Sequence, residues 1–142
     1  KFRKEHEIKT ENHKIIKEKL NEVLDFNVPE QLQQEETSIR LKQAKQDPAN
    51  KESADSVLEE KVKQEALEQL RFSILVQKVL DDEEIKTDEN EVYRRFEMNC
   101  AMMAIRPEDL IKEEYGRQIY QQTYGMITEE TVLDFIIEKA TE

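Results

Sequence analysis

The sequence predicts an all-α protein, and three observations carry that reading. Lys, Glu, Gln and Leu are abundant, and 39% of the 142 residues are charged against 37% hydrophobic, the profile of amphipathic helices with solvated faces. Only two glycines and three prolines are available for turns, too few for a sandwich or barrel of many short strands. Apolar residues recur at three- and four-residue spacing along most of the chain, the period of a helix with one covered face.

The first helix is expected over residues 5–25, with Ile8, Ile15, Ile16, Leu20, Val23 and Leu24 on one face and Phe26 packing near the corner. In "EVLDFNVPEQLQQEE", residues 22–36, Pro29 lacks an amide hydrogen and disfavours helical geometry at Val28. It suits the first turn of a new helix, with Asn27 as the cap. That helix, over 29–46, has Leu32, Ile39, Leu41 and Ala44 among many Gln and Glu, so it should be largely exposed. "QDPANKES" at 46–53 reads as a loop, with Asp47-Pro48 turning and Ser53 capping the next helix.

A third helix, 53–81, would be about 40 Å long. Its first half carries the stripe Val57, Leu58, Val62 and Ala66, while "LRFSILVQKVL" at 70–80 is apolar on most sides and should be the core. "DDEEIK" ends it, and Thr87 or Asp88 caps a helix over 88–104 with Val92, Phe96, Cys100 and Met103 on one face. Pro107, followed by Glu108 and Asp109, starts a short helix over 107–114 with Leu110 and Ile111. The last segment, 117–140, carries Ile119, Tyr120, Met126, Ile127, Val132, Leu133, Ile136, Ile137 and Ala140. Gly125 weakens it by about 1 kcal/mol and Thr128 with Glu129 and Glu130 can cap a restart, so one kinked helix or two closely joined ones are expected.

The net charge of −11 argues against a general nucleic-acid binder, because phosphate affinity comes from clustered Lys and Arg. Residues 1–19 carry seven Lys or Arg against four Glu, and "DDEEIKTDENE" at 81–91 carries seven acids and one Lys. Solvated faces account for both; an acidic surface favouring basic client segments is the sharper alternative. No apolar run approaches the ~20 residues that span a bilayer, and Cys100, the single cysteine, has no partner for an intramolecular disulfide, so a reducing compartment is expected. The chain opens at Lys1 without a signal segment and is expected to be a piece of a larger protein.

No catalytic or metal constellation emerges, and no cofactor is expected. His6 and His13 share a helix face but stand about 10 Å apart along the axis, too far for one zinc ion, and read as surface histidines. Cys100 sits on an apolar stripe without a nearby histidine and reads as a small buried hydrophobe. Soft and aromatic residues are instead concentrated late in the chain: Tyr93, Phe96, Met98, Met102, Met103, Tyr115, Tyr120, Tyr124 and Met126. Phe96 and Met103 fit the core face, whereas Met98 and Met102 point elsewhere; exposed methionine and tyrosine suit promiscuous peptide binding.

The order of "DFNVPEQL", the long helix "VLEEKVKQEALEQLRFSILVQKVLDDEEIKTDENEV", "RPEDLIKEEY" and "TEETVLDFIIEKA" resembles the C-terminal, substrate-binding domain of trigger factor, the bacterial ribosome-associated chaperone. Each motif is weak alone; their order and spacing over nearly the whole chain carry the likeness. The resemblance implies one helical chaperone domain over 1–142, an elongated multi-helix body with two projecting arms that cradle unfolded or nascent polypeptide. The Val28-Pro29 break would be the tip or bend of one arm, "QDPANKES" its turn toward the body, and residues 88–127 the second arm. The implied client contacts are Tyr93, Phe96, Cys100, Met102, Met103, Ala104, Leu110, Ile111, Tyr115, Tyr120 and Tyr124. Glu113 and Glu114 stand where the family often has aromatic residues, and the stretch 33–47 is unusually polar for an arm.

Neither a ribosome-docking signature nor the isomerase domain that the intact family protein resembles lies in these residues. The resemblance therefore implies an ATP-independent, cytoplasmic holding module that is not itself an enzyme and reaches the ribosome only through missing parts. Nucleic acid and membrane are not expected partners; a second copy of the chain is a candidate one, since an exposed apolar patch can bind its own copy. The rival reading is a helical adaptor or dimerisation module with one specific partner, and a periplasmic chaperone of related shape is a third.

Overall fold

Residues 1–141, which the computed structural model describes, form α1 (Phe2–Val23), α2 (Glu30–Gln46), α3 (Asp55–Asp82), α4 (Glu89–Met102), α5 (Pro107–Leu110) and α6 (Glu114–Thr141), with a 3₁₀ turn at Pro48–Asn50. Among them there is no strand, and the all-α expectation holds. Glu142, the last residue of the expected domain, lies outside the described residues. The chain folds into two compact units, Lys14–Gln77 and Lys1–His13 with the chain from Lys78 onward.

In the Lys14–Gln77 unit, the helix break is a packed bend. Val28 is buried, and the Arg71 guanidinium donates to the carbonyl oxygens of Phe26 at 3.0 Å and Leu24 at 3.2 Å, satisfying acceptors that the interrupted helix leaves open. Asn27 does not cap α2. Pro29 itself takes the cap position, with φ −49° and ψ 130° and no side-chain bond, because its ring already sets the extended entry; the Gln33 side-chain Nε2 donates to the Val28 carbonyl at 2.8 Å. Asp47 accepts from the Ala49 amide and caps the 3₁₀ turn, and α3 begins at Asp55.

Along α3 the buried residues are Leu58, Val62, Ala66, Phe72 and Val76. The Lys17 ammonium lies 4.6 Å from the centre of the Phe72 ring. The expectation that 70–80 is covered on most sides needs one correction: Ile74 is exposed, because only one stripe of the helix meets other elements directly. No residue of α1 or α2 is fully buried.

In the other unit, α3 and α4 end alike. Glu84 (φ 52°) and Ala104 (φ 56°) adopt the left-handed conformation, and the amides of Ile85 and Ile105 reach back to the carbonyls of Leu80 and Cys100 at 3.0 Å each, the Schellman closure of a helix end. Asp88 caps α4, accepting from the amides of Asn90 and Glu91, while the Thr87 hydroxyl meets that of Thr128 at 2.6 Å. Pro107 opens α5 as expected, and α6 runs unbroken through Gly125.

His13 departs from the surface reading. It is largely covered, and its Nε2 lies 2.6 Å from Asp134 Oδ1, with the Lys9 ammonium 3.1 Å from the other carboxylate oxygen. This brings the start of α1 onto α6.

Candidate functional site

The helices α4 and α6 run antiparallel and are joined by polar and aromatic contacts. Thr87 meets Thr128, the Arg95 guanidinium donates twice to Glu130 at 2.9 and 2.6 Å, and the Phe96 and Tyr120 rings meet edge to face with centroids 5.3 Å apart. The Schellman turn at Ala104 sends the chain back through α5, which sets Leu110 against Phe96 and Cys100 in a buried cluster flanked by Ile119 and Tyr120. Gly116, near the start of α6, allows this approach: a Cβ there would stand 1.8 Å from the Leu110 carbonyl oxygen.

The three helices leave an open groove of about 440 Å³ lined by Tyr93, Phe96, Pro107, Glu108, Ile111 and Tyr120. Tyr93 and Ile111 are exposed, Tyr120 is half-buried, and Phe96 lies beneath them at 1% exposure. The cleft is thus mostly aromatic and aliphatic, with one carboxylate. Nearby charges are neutralised in place. Hydrogen bonds from Arg94 hold the Glu91 carboxyl below its ordinary value against the opposing effect of burial, and Arg95 adds to them; the bond to Glu130 keeps Arg95 charged.

Burial pushes the Cys100 thiol upward, away from the thiolate a nucleophile needs. Among the described residues no group of three or more His, Cys, Asp and Glu side chains could hold a metal ion, and no helix is long and apolar enough to cross a membrane.

Of the residues singled out from the sequence, Tyr93, Ile111 and Tyr120 come together at this groove. Phe96, Cys100 and Leu110 are buried, because they fall on the stripe that α4 and α5 turn toward α6; of the three, only Phe96 reaches the floor of the groove. Ala104 is the left-handed residue that ends α4. Met103, expected on the core face, is the C-cap of α4 and exposed, since the helix stops one residue earlier. Tyr115 and Tyr124 are exposed outside this groove, and Met102 lines a separate concavity with Met98 and Met126. Sequence reasoning missed Pro107 and Glu108 as lining residues and Gly116 as the close contact; a glycine inside the first turn of a helix was the available signal for the last.

In the Lys14–Gln77 unit, α2 and α3 border a larger open groove of about 660 Å³, lined by Glu30, Gln33, Gln34, Thr37, Ser38, Leu41 and Lys63. Its walls are mainly amides, hydroxyls and charges, in keeping with the polar composition of 33–47.

Comparison with known proteins agrees with this helical architecture. A family described as "Bacterial trigger factor protein (TF) C-terminus" matches residues 2–138. The trigger factor of Alcanivorax borkumensis is 34% identical over 79 residues, which cover 55% of this chain and 18% of that protein's length. No solved structure matches the chain. The family description places the match at the C-terminus of trigger factor. The chain belongs to the trigger factor C-terminal family.

Proposed function

We propose that this chain is an ATP-independent holding module of a chaperone, covering apolar segments of unfolded or nascent polypeptides. The observation that carries the reading is the aromatic groove at α4, α5 and α6, where exposed Tyr93 and Ile111 and half-buried Tyr120 border one cleft over buried Phe96. Covering one large apolar client side chain contributes about 1.5–3 kcal/mol before the cost of ordering the client. A single groove therefore grips weakly. Several grips on one long client raise the apparent affinity through effective concentration and still release it segment by segment.

Met102, Met103, Tyr115 and Tyr124 extend the apolar contact area, and the polar groove between α2 and α3 suits hydrogen bonds to the client backbone. In this reading the module works in the bacterial cytoplasm, and contact with the ribosome belongs to parts of the parent protein outside these residues. Self-association through the same surface competes with client holding.

The test dilutes two unrelated denatured enzymes into solutions of this chain without nucleotide and follows light scattering. Suppression of both at near-equal molar ratio, weakened in a Tyr93→Ala/Tyr115→Ala double variant of unchanged helicity, supports the proposal. A folded chain that suppresses neither overturns it in favour of an adaptor with one specific partner.

A further inference from the structure

The chain's four methionines all fall between residues 98 and 126, and its one cysteine lies among them. Three of the methionines, Met98 and Met102 from α4 and Met126 from α6, line a single concavity of about 170 Å³. They are 55%, 86% and 59% exposed, whereas Cys100, two residues from Met98, is 0% exposed. The two kinds of sulfur are thus sorted by position, thioethers outside and thiol inside. A thioether carries no proton to lose, so exposure alone admits an oxidant to it; a thiol must be both reachable and ionised, and Cys100 is neither.

We propose that Met98, Met102 and Met126 form an oxidation-responsive patch through which peroxide weakens client holding, an inference that rests on the holding function proposed above. In each step a thioether lone pair attacks one oxygen of hydrogen peroxide. The S–O bond forms, the O–O bond breaks and the second oxygen leaves as water; the sulfur loses two electrons and the peroxide gains them. Reduction by a thiol-dependent sulfoxide reductase reverses the step, two thiols becoming a disulfide and the oxygen leaving as water.

The walls of the concavity determine the consequence. Methionine sulfoxide is polar and accepts hydrogen bonds, so a client methylene packed on it must displace water from the S=O group. Arg95 and Asn99 line the same space and carry N–H donors. Oxidation therefore turns an apolar surface into a polar one, beside an Arg95 whose guanidinium is already bonded to Glu130 and Glu91. Because the three sulfurs come from two helices, their oxidation changes one continuous surface rather than scattered points. Met102, the most exposed, should react first.

The experiment treats the chain with graded hydrogen peroxide, maps oxygen addition by peptide mass spectrometry at about 16 Da per methionine, and measures aggregation suppression of the same two denatured enzymes. Circular dichroism accompanies each point. The expected result is oxygen at Met102, then Met126 and Met98, with Met103, the least exposed of the four, last and Cys100 still free to alkylate after denaturation. Holding should fall several-fold at unchanged helicity and recover on treatment with a methionine sulfoxide reductase.

In a Met98→Leu/Met102→Leu/Met126→Leu variant, the fractional loss caused by peroxide should shrink to the small share that Met103, 38% exposed and outside the patch, can carry, whatever the variant's starting capacity. Full holding by the oxidised chain overturns the patch alone, as does an equal fractional loss in the triple variant. Failure of the untreated chain to hold any client overturns the holding function and the patch with it.

Discussion

Gly116→Ala is expected to destabilise the unit that contains α4, α5 and α6 by about 2 kcal/mol, although alanine is the better helix former. The added Cβ would stand 1.8 Å from the Leu110 carbonyl oxygen, 2.5 Å from the carbonyl carbon and 2.9 Å from Leu110 Cγ. Two of these atoms are backbone, and the oxygen already accepts from the Glu113 amide at 3.1 Å, so it cannot swing aside as a side chain would. To restore ordinary contact, α6 must withdraw from α5 by more than about 1 Å, loosening Leu110 against Phe96 and Cys100.

Overpacking of this kind costs about 1–3 kcal/mol; the backbone clash puts this case at the upper end, and the helix-propensity gain returns at most about 1 kcal/mol. At this chain length the net loss lowers Tm by roughly 7 °C. Gly125→Ala is the matched control. Nothing lies within 4 Å of its Cβ, so the same substitution there should stabilise by about 0.5–1 kcal/mol. Urea and thermal unfolding followed by circular dichroism compare the two. A Gly116→Ala protein as stable as the parent, or raised like Gly125→Ala, would refute the seating of α5 on α6.

Ala104→Gly should stabilise by about 0.5–1 kcal/mol, since glycine adopts φ 56° without the Cβ penalty; urea unfolding reads the gain, and a loss would argue against the left-handed helix end. Arg71→Met keeps the apolar stem but removes the donors to the Leu24 and Phe26 carbonyls, costing about 1–3 kcal/mol, seen as a lower urea midpoint; an unchanged midpoint would mean that water serves those carbonyls equally well. The Glu91 carboxyl, held down first by Arg94, binds protons less readily folded than unfolded. Its stabilisation is present above the ordinary glutamate range and disappears as pH falls through the lowered folded value. The stability gap between the parent and Glu91→Gln, measured by urea unfolding, should therefore close as pH falls below the ordinary glutamate range; a gap independent of pH would contradict this pairing.

The helices were legible because their signals are local. Asp88 caps α4 through amides two and three residues away, and Pro107 opens α5 with its own ring. The stripe Val92, Phe96 and Cys100 was readable from four-residue spacing and is buried as a set. Errors gathered where a partner is distant in sequence. His13 looked like a surface residue because Asp134 lies 121 positions away; Asn27 is a different case, since Pro29, two residues on, takes the cap position itself. The candidate site was half legible. Periodicity put Phe96 on the core face, but the contact set implied by the family resemblance joined it with Tyr93, although one is buried and the other exposed.

By itself the sequence determined the all-α class, the order of the helices and the bend at Val28-Pro29, because periodicity, caps and breakers act within one or two turns of the chain; the resemblance to trigger factor rested instead on the order of its motifs. Tertiary structure alone decided which apolar residues form the groove, which methionines remain open while Cys100 is enclosed, and why Gly116 and Gly125, the same residue on the same helix, carry opposite consequences. Those outcomes depend on which surfaces meet. Burial and close packing are properties of pairs of elements, and no single helix contains them.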